Sequence, residues 1–584
     1  MLSFAQPLDT GPNSTAGTDS DACPEAVARL LHNWTFLVRL ALILVLATTL
    51  YTTVAICWPK FSRAEVFFAE CAREMLATSN YVTPLYHGQP FFDKPILVYW
   101  LILANFKLLG ASHLTARIPS ILAGVATVAT TGILTGAAAG TIAGLLAAMA
   151  LASSFMFISF SALCMSDMLL TCCDTVTLAL LYAGTLSDKQ RMLLWWLAAA
   201  CMGMAFLTKG PVGLVLPLLS FVIYLAITRQ LSLVKPVHLL LGGITAAIIA
   251  SPWFLAAYRA NGAGALQYFV LHENVQRFIG STYDTHRPPW FMLTALFAGF
   301  APWSIFLPFV LAGSITKWRE AFSSKPARRD LFVWLWIATI TLFFSLSRGK
   351  IDYYALPAYP AAAALTGIYL SQWISTRSRG AAAGAWILAM CLAAAAICSS
   401  FFLSKLSGGA TPLQWILMPA ALTTSALLMA LCMYHKAYFK AYTLVYIAVS
   451  LAAIGFCLQI LPVLLNLQPV LNYISTVRNS PPATRIGIYR TVDSWIDETT
   501  FQTGREPVKL SNTAELTAFL NSKPAALLVV PKDKFEELPA SVLAKVRILD
   551  SRPYIEHSLN PGFALKRNGV LTANQPLLLV GTYE

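Results

Sequence analysis

Eight charged side chains stand where a chain of this composition has little use for charge. Glu65, Asp93, Lys94, Asp167, Lys209, Arg277, Arg287 and Lys350 fall at the ends of long apolar runs or in the segments between them. A carboxylate in such a place can take a proton from a hydroxyl. Lysine and arginine there can hold a phosphate through charge-assisted hydrogen bonds. Acids and bases gathered at one end of a set of apolar helices suit an anion with its head at the interface and its tail in lipid.

The elements that must position these residues are membrane spans. Of 584 residues, 57% are hydrophobic and only 12% charged, and the mean hydropathy is +0.64. A soluble domain needs about a quarter charged residues to clothe its surface, so most of this surface must face lipid. Apolar runs of roughly 18 to 24 residues, each able to cross a hydrocarbon core of about 30 Å, recur along the chain. They predict spans near 35–57, 117–138, 142–162, 168–186, 193–208, 211–228, 238–259, 290–313, 331–347, 353–372, 382–403, 411–434 and 441–463. The first is too long and starts too far in for a cleaved signal, so it reads as a retained anchor.

The net charge of +14 is no nucleic-acid footprint. Lys189 and Arg191, Arg229 and Lys235, Lys317 through Arg329, Arg377 and Arg379, and Lys436 and Lys440 sit in loops two spans apart. That is the positive-inside pattern of cytoplasmic connections. It puts the N-terminus in the cytoplasm and residue 58, residue 117 and the C-terminus outside. The apolar stretch 95–110 then cannot make a full crossing, and reads as interfacial or re-entrant.

Four regions follow. Residues 1–33 form a polar, disordered tail; 34–465 form the membrane part, with 58–116 as its first outer loop; 466–584 alternate short apolar runs with helix-like stretches, as a small α/β domain does. The eleven cysteines lie mostly inside spans and read as small packing residues.

The motifs around the eight residues carry a resemblance. Glu65-Val-Phe-Phe-Ala-Glu-Cys-Ala-Arg-Glu-Met75 followed by Phe91-Phe-Asp-Lys-Pro-Ile-Leu-Val-Tyr-Trp100 resembles the first extracytoplasmic loop of aminoarabinose transferases. These are bacterial relatives of the dolichyl-phosphate-mannose protein mannosyltransferases, and share their GT-C membrane fold. Further matches are Arg117-Ile-Pro-Ser120, Ser166-Asp-Met-Leu-Leu-Thr171, Leu207-Thr-Lys-Gly-Pro211, Glu273-Asn-Val-Gln-Arg-Phe278, His286-Arg-Pro-Pro-Trp290 and Lys350-Ile-Asp-Tyr-Tyr-Ala-Leu-Pro357. Together they keep the family's order over about 300 residues.

The resemblance implies an all-α polytopic fold of about thirteen transmembrane helices with a small extracytoplasmic α/β domain, in a bacterial inner membrane. It implies inverting transfer of a sugar from a polyprenyl-phosphate donor to a lipid, glycan or protein acceptor outside. Lys94, Lys209 and Arg277 would grip the donor phosphate, with Lys350, Tyr353, Tyr354 and Arg287 assisting. Here the chain departs from the pattern. Where the family usually carries Asp-Glu, it has Ala64-Glu65, and where an Arg follows, it has Phe67. Either Glu65 takes over with Asp167, Asp167 serves alone, or the chain is a catalytically altered relative. Glu65 with Asp167 is the expected catalytic pair. The one cofactor the residue types raise is a divalent metal on Asp93, His272 and His286, though no ligand spacing marks them.

The plainer readings are a helix N-cap for Asp167, a snorkelling anchor for Lys209 or Lys350, and solvated loop charges for Arg277 and Arg287. A rival function, a transporter or flippase for a lipid-linked sugar, would call for repeated halves with charges at the midplane. No internal repeat is visible.

Overall fold

The computed structural model describes residues 22–280, 287–315, 324–376, 379–405, 412–461, 470–490, 494–521, 525–554 and 574–582. Residues 1–21 of the expected tail, the basic residues Lys317, Arg319 and Arg377, His286 and the expected domain boundary near 465 lie outside the described residues, whereas within the expected disordered tail 1–33 Ala22–Leu31 form a helix.

The membrane part is a helical bundle. Its elements are α1 (Trp34–Cys57), α2 (Arg63–Thr78), α3 (Leu97–Leu109), α4 (His113–Ala139), α5 (Thr141–Ala152), α6 (Phe155–Ser161), α7 (Ser166–Leu186), α8 (Arg191–Lys209), α9 (Val212–Ile227), α10 (Pro236–Asn261), α11 (Phe291–Gly299), α12 (Leu307–Ile315), α13 (Lys325–Leu346), α14 (Tyr359–Thr376), α15 (Arg379–Lys405), α16 (Pro412–Tyr434) and α17 (Tyr438–Gly455). A π-helical segment, Tyr268–Gln276, follows α10.

Among the described residues eight helices are long and apolar enough to cross a membrane, or ten if each of two bent pairs counts as one span. The remaining three of the thirteen expected runs are helical as well: α9 and the apolar part of α16 are shorter apolar helices, and α14 is the third. The run at 142–162 is α5 and α6 bent by 67°, and the run at 290–313 bends by 115° between α11 and the segment that ends in α12. The run at 353–372 starts as a 3₁₀ turn, Asp352–Ala358, before α14. That helix is almost wholly buried from Tyr359 to Leu370, so over this stretch it faces neighbouring helices rather than lipid. At thirteen residues α3 spans about 20 Å, too short for a crossing.

Small residues let the bundle close. A β-carbon on Gly144 of α5 would lie 2.3 Å from the Gly132 carbonyl oxygen of α4, so only glycine permits that approach. Caps fix where helices begin. The Asn33 side chain accepts from the Phe36 amide at 3.0 Å, and the Ser112 hydroxyl from the Thr115 amide at 3.2 Å.

The C-terminal region is an α/β unit with a five-stranded sheet. Its strands β3 (Arg485–Tyr489), β4 (Val508–Leu510), β5 (Ala526–Pro531), β6 (Val546–Tyr554) and β7 (Asn574–Thr582) are ordered β4-β3-β5-β7-β6; the two earlier strands, β1 (Leu85–Tyr86) and β2 (Gln89–Pro90), form a separate hairpin in the first loop. β3 runs parallel to β4 and β5, while β7 is antiparallel to β5 and β6. The helix α18 (Ser494–Thr503) binds this unit to the first loop. Glu498 accepts from the Phe61 amide at 2.9 Å and contacts His113 Nε2 at 2.6 Å, and Asp497 accepts from the Tyr86 hydroxyl at 2.5 Å.

Candidate functional site

A cavity of about 960 Å³ opens at one end of the bundle, where α2, the start of α7, the end of α8, the π-helical segment and the end of α13 converge. Its walls are largely apolar, with phenylalanine the commonest residue, and its charged lining is Asp93, Lys94, Asp167, Lys209 and Glu273. Chain segments far apart in sequence supply these five.

Lys209 is placed by a helix end. It is the last residue of α8, and Gly210 follows at φ 78°, where a β-carbon would sit 2.6 Å from the Phe269 ring. The chain can therefore turn sharply against the π-helical segment and leave the ammonium in the cavity wall. There it is hydrogen-bonded to the Asp167 carboxylate. Its ammonium also lies 5.1 Å from the Tyr354 ring centre and 5.7 Å from that of Tyr353. Asp167 occupies the first turn of α7, where the helix dipole favours a carboxylate, but its partner is a cation rather than a cap.

The second charged group is Asp93, Lys94 and Glu273. The Lys94 ammonium is 2.8 Å from an Asp93 oxygen and 3.9 Å from a Glu273 oxygen. Burial, then the hydrogen bond and negative charge of Asp93, raise the proton affinity of Glu273 above that of an ordinary glutamate. Glu273 opens one of the family-like motifs, in which the resemblance assigns a role only to Arg277. Only the fold brings it across from Asp93.

The expectation for Glu65 is corrected. Glu65 is fully buried and does not line the cavity. One of its oxygens accepts from Arg117 Nε at 2.8 Å and the Cys164 amide at 2.9 Å, the other from the Ser62 amide at 2.9 Å and Arg117 Nη2 at 3.3 Å. No lone pair is left for a substrate hydroxyl. The physical reason is helical rotation. Ala64, Phe67 and Phe68 share the cavity face of α2, and Glu65 is turned about 100° away. Both residues that depart from the family's usual Asp and Arg, Ala64 and Phe67, thus face the cavity.

Other expected ligands are also displaced. Lys350 donates to the Ser347 carbonyl at 2.6 Å, capping the end of α13, and is absent from the lining. Arg287 is exposed and stacks over Phe291, with 5.6 Å between its guanidinium and the ring centre. Arg277 falls in a short helical turn, Arg277–Ile279, but its side chain is outside the described residues. His272 contacts Glu273 through Nδ1 at 3.0 Å and stacks on Tyr268, while His286 is not described. Among the described residues no three His, Cys, Asp or Glu side chains gather as a metal site.

Sequence reading also passed over Asp174, two turns along α7 from Asp167. It is fully buried, and neither oxygen has a hydrogen-bond partner among the described residues. The seven-residue spacing that puts it on Asp167's face was readable in advance.

This bundle, with its charged cavity at one end, is a GT-C membrane fold. ArnT from Cupriavidus metallidurans, solved bound to undecaprenyl phosphate, superposes with a TM-score of 0.69 at 20% identity, over 92% of this chain and 97% of that one. In sequence the chain is aminoarabinose-transferase-like. It is 31% identical over 343 residues to an undecaprenyl phosphate-alpha-4-amino-4-deoxy-L-arabinose arabinosyl transferase of Pseudomonas aeruginosa (strain UCBPP-PA14), covering 58% of this chain and 61% of that one. A similarly named transferase of Pseudomonas fluorescens (strain Pf0-1) is 30% identical over 319 residues, covering 54% of each chain. An uncharacterized protein of Aquifex aeolicus (strain VF5) is 30% identical over 309 residues, 53% of this chain and 59% of its own. The chain thus spans between about half and three fifths of the length of these relatives. A family model described as dolichyl-phosphate-mannose-protein mannosyltransferase matches residues 93–255.

Proposed function

We propose that the chain transfers a sugar from a polyprenyl-phosphate donor to a hydroxyl or amine of a lipid, glycan or protein acceptor, on the outer face of a bacterial inner membrane. The observation that carries this reading is the joining of Lys94 and Lys209 with three carboxylates in one largely apolar cavity. The cations suit a phosphate head, and the apolar walls suit the isoprenoid that bears it.

In this reading the donor phosphate lies between Lys94 and Lys209. The acceptor oxygen or nitrogen attacks the anomeric carbon from the side opposite the phosphate, inverting it. The bond from that carbon to the phosphate oxygen breaks, and its electron pair stays on the phosphate, where the two lysines stabilise the growing charge. Glu273 takes the acceptor's proton. Its raised proton affinity suits a base, whereas Asp167 is committed to Lys209 and serves to hold that ammonium in place. The pair Asp93–Glu273 thereby stands in for the acid absent at position 64. Outward orientation of the cavity and of the C-terminal unit follows from the basic loops.

One test is to incubate the purified protein with synthetic polyprenyl-phosphate sugars and a membrane extract, and to follow free polyprenyl phosphate by mass spectrometry. Release that depends on acceptor supports transfer. Binding of donor with no release under any acceptor would point instead to the catalytically altered relative or to a carrier, a reading favoured by Ala64 alone.

A further inference from the structure

α7 begins in the cavity wall. Ser166, at its first helical position, lines the cavity and is fully buried, and its hydroxyl has no hydrogen-bond partner among the described residues. Serine at a helix start ordinarily caps it. Here the capping position is Met165, one residue earlier, and no side chain bonds back from it. Ser166 also lies too early in the helix for its hydroxyl to reach a helical carbonyl four residues back. A hydroxyl buried without a partner is costly, so its place in a cavity wall marks a bond that a ligand completes.

Asp167, next along the helix, lines the same wall. It gives one oxygen to the Lys209 ammonium, and its other oxygen has no partner among the described residues. Both residues are held in place from behind. The Glu65 carboxylate accepts from the Cys164 amide at 2.9 Å, and the Ser120 hydroxyl donates to the Met165 carbonyl at 3.3 Å. These bonds tie the two residues before α7 to α2 and α4, so the buried Glu65 positions the cavity wall.

A carboxylate oxygen beside a hydroxyl that can donate and accept forms a seat for another hydroxyl. Phosphate fits it poorly, because the carboxylate repels a second anion. An apolar chain fits it worse, since both polar groups would stay unpaired. A ring hydroxyl satisfies both at once: it donates to Asp167 and accepts from Ser166.

We propose that Ser166 and Asp167 hold the sugar of the donor by one ring hydroxyl, and so select donors that carry it. This rests on the sugar-transfer reading, in which Lys209 meets the donor phosphate. Because Lys209 is bonded to Asp167, a phosphate on that ammonium brings its attached ring to the start of α7. The acceptor is not the occupant, since its reacting group is placed by Glu273, beside Asp93 and Lys94.

The test measures binding and transfer separately, on the full-length protein in detergent. The ligands are sugar-free polyprenyl phosphate, the polyprenyl-phosphate sugar that wild type binds most tightly, and analogues of that donor each lacking one ring hydroxyl. Wild type is expected to bind one such analogue at least about tenfold more weakly than the parent donor. Ser166→Ala should weaken the parent by about the same factor and that analogue no further. Sugar-free polyprenyl phosphate should bind this variant as it binds wild type, which also certifies folding. Ser166→Cys, close in size but a weak donor, should behave like the alanine variant. An equal penalty on every ligand, no penalty on any, or a change confined to the KM for acceptor overturns the seat. Release of polyprenyl phosphate is then followed on the same proteins. Selective binding without release by wild type removes the transfer reading and leaves the sugar seat standing; release without selective binding does the reverse.

Discussion

Arg117 and Glu65 form a closed pair in the core of the first loop, with Nε and Oε1 2.8 Å apart and neither side chain exposed. Arg117 spends its remaining donors on the Ala55, Trp58 and Lys60 carbonyls, which the end of α1 leaves without helical partners. Each group satisfies the other, and Arg117 also satisfies the connection between α1 and α2. Removing one leaves a buried charge alone, so Glu65→Ala is expected to cost about 3–5 kcal/mol of stability. Thermal unfolding in detergent measures it. A variant with wild-type melting that loses only turnover would return Glu65 to the reaction.

Lys209 is expected to act on the phosphate. Lys209→Ala should lower transfer by about 10²–10³, the usual loss for one donor aimed at developing charge. Asp167→Asn should also impair it, by freeing the ammonium from its position against Tyr353 and Tyr354. Turnover within twofold of wild type in both variants would remove the pair from the site.

The base assignment makes a pH prediction. Glu273 binds its proton more tightly than an ordinary glutamate because it is buried beside Asp93. A base works deprotonated, so transfer should fall as pH drops through that raised value, on a limb lying above the ordinary glutamate pKa of about 4.3. Asp93→Asn removes a negative charge that raises it, so the limb should move to lower pH. A limb that does not move with this substitution contradicts the coupling.

Much of this was legible in the residues and some was not. Hydropathy located the helices because lipid demands apolar runs, but could not see the bends after Ala152 and Gly299, which tertiary packing makes. Lys94, Lys209 and Asp167, which line the cavity, stand out in the sequence because charges beside apolar runs are costly and need a reason. Glu65 misled because a motif position fixes neighbours in sequence, while the facing direction changes by about 100° per residue along a helix. Lys350 misled likewise, since a cation next to a helix end serves its carbonyls as readily as a ligand. Glu273 was hidden because its partner is 180 residues away.

The C-terminal unit should influence the cavity through Tyr86. This ring packs at 5.1 Å from Phe67 and 5.4 Å from Phe91, both cavity residues, while its hydroxyl is held by Asp497. Losing a hydrogen bond to a charged group costs about 1.5–3 kcal/mol. Asp497→Ala is therefore expected to loosen the first loop, seen as faster amide exchange over β1 and β2. Exchange unchanged there would separate the unit from the cavity.

The most direct measurement is single-turnover release of polyprenyl phosphate by wild type, Glu273→Gln and the Glu273→Gln, Ala64→Asp double variant under identical donor loading. The account predicts release by wild type, loss of at least about 10² in Glu273→Gln, and recovery when Ala64→Asp is added to that variant. Full release by Glu273→Gln alone would contradict it.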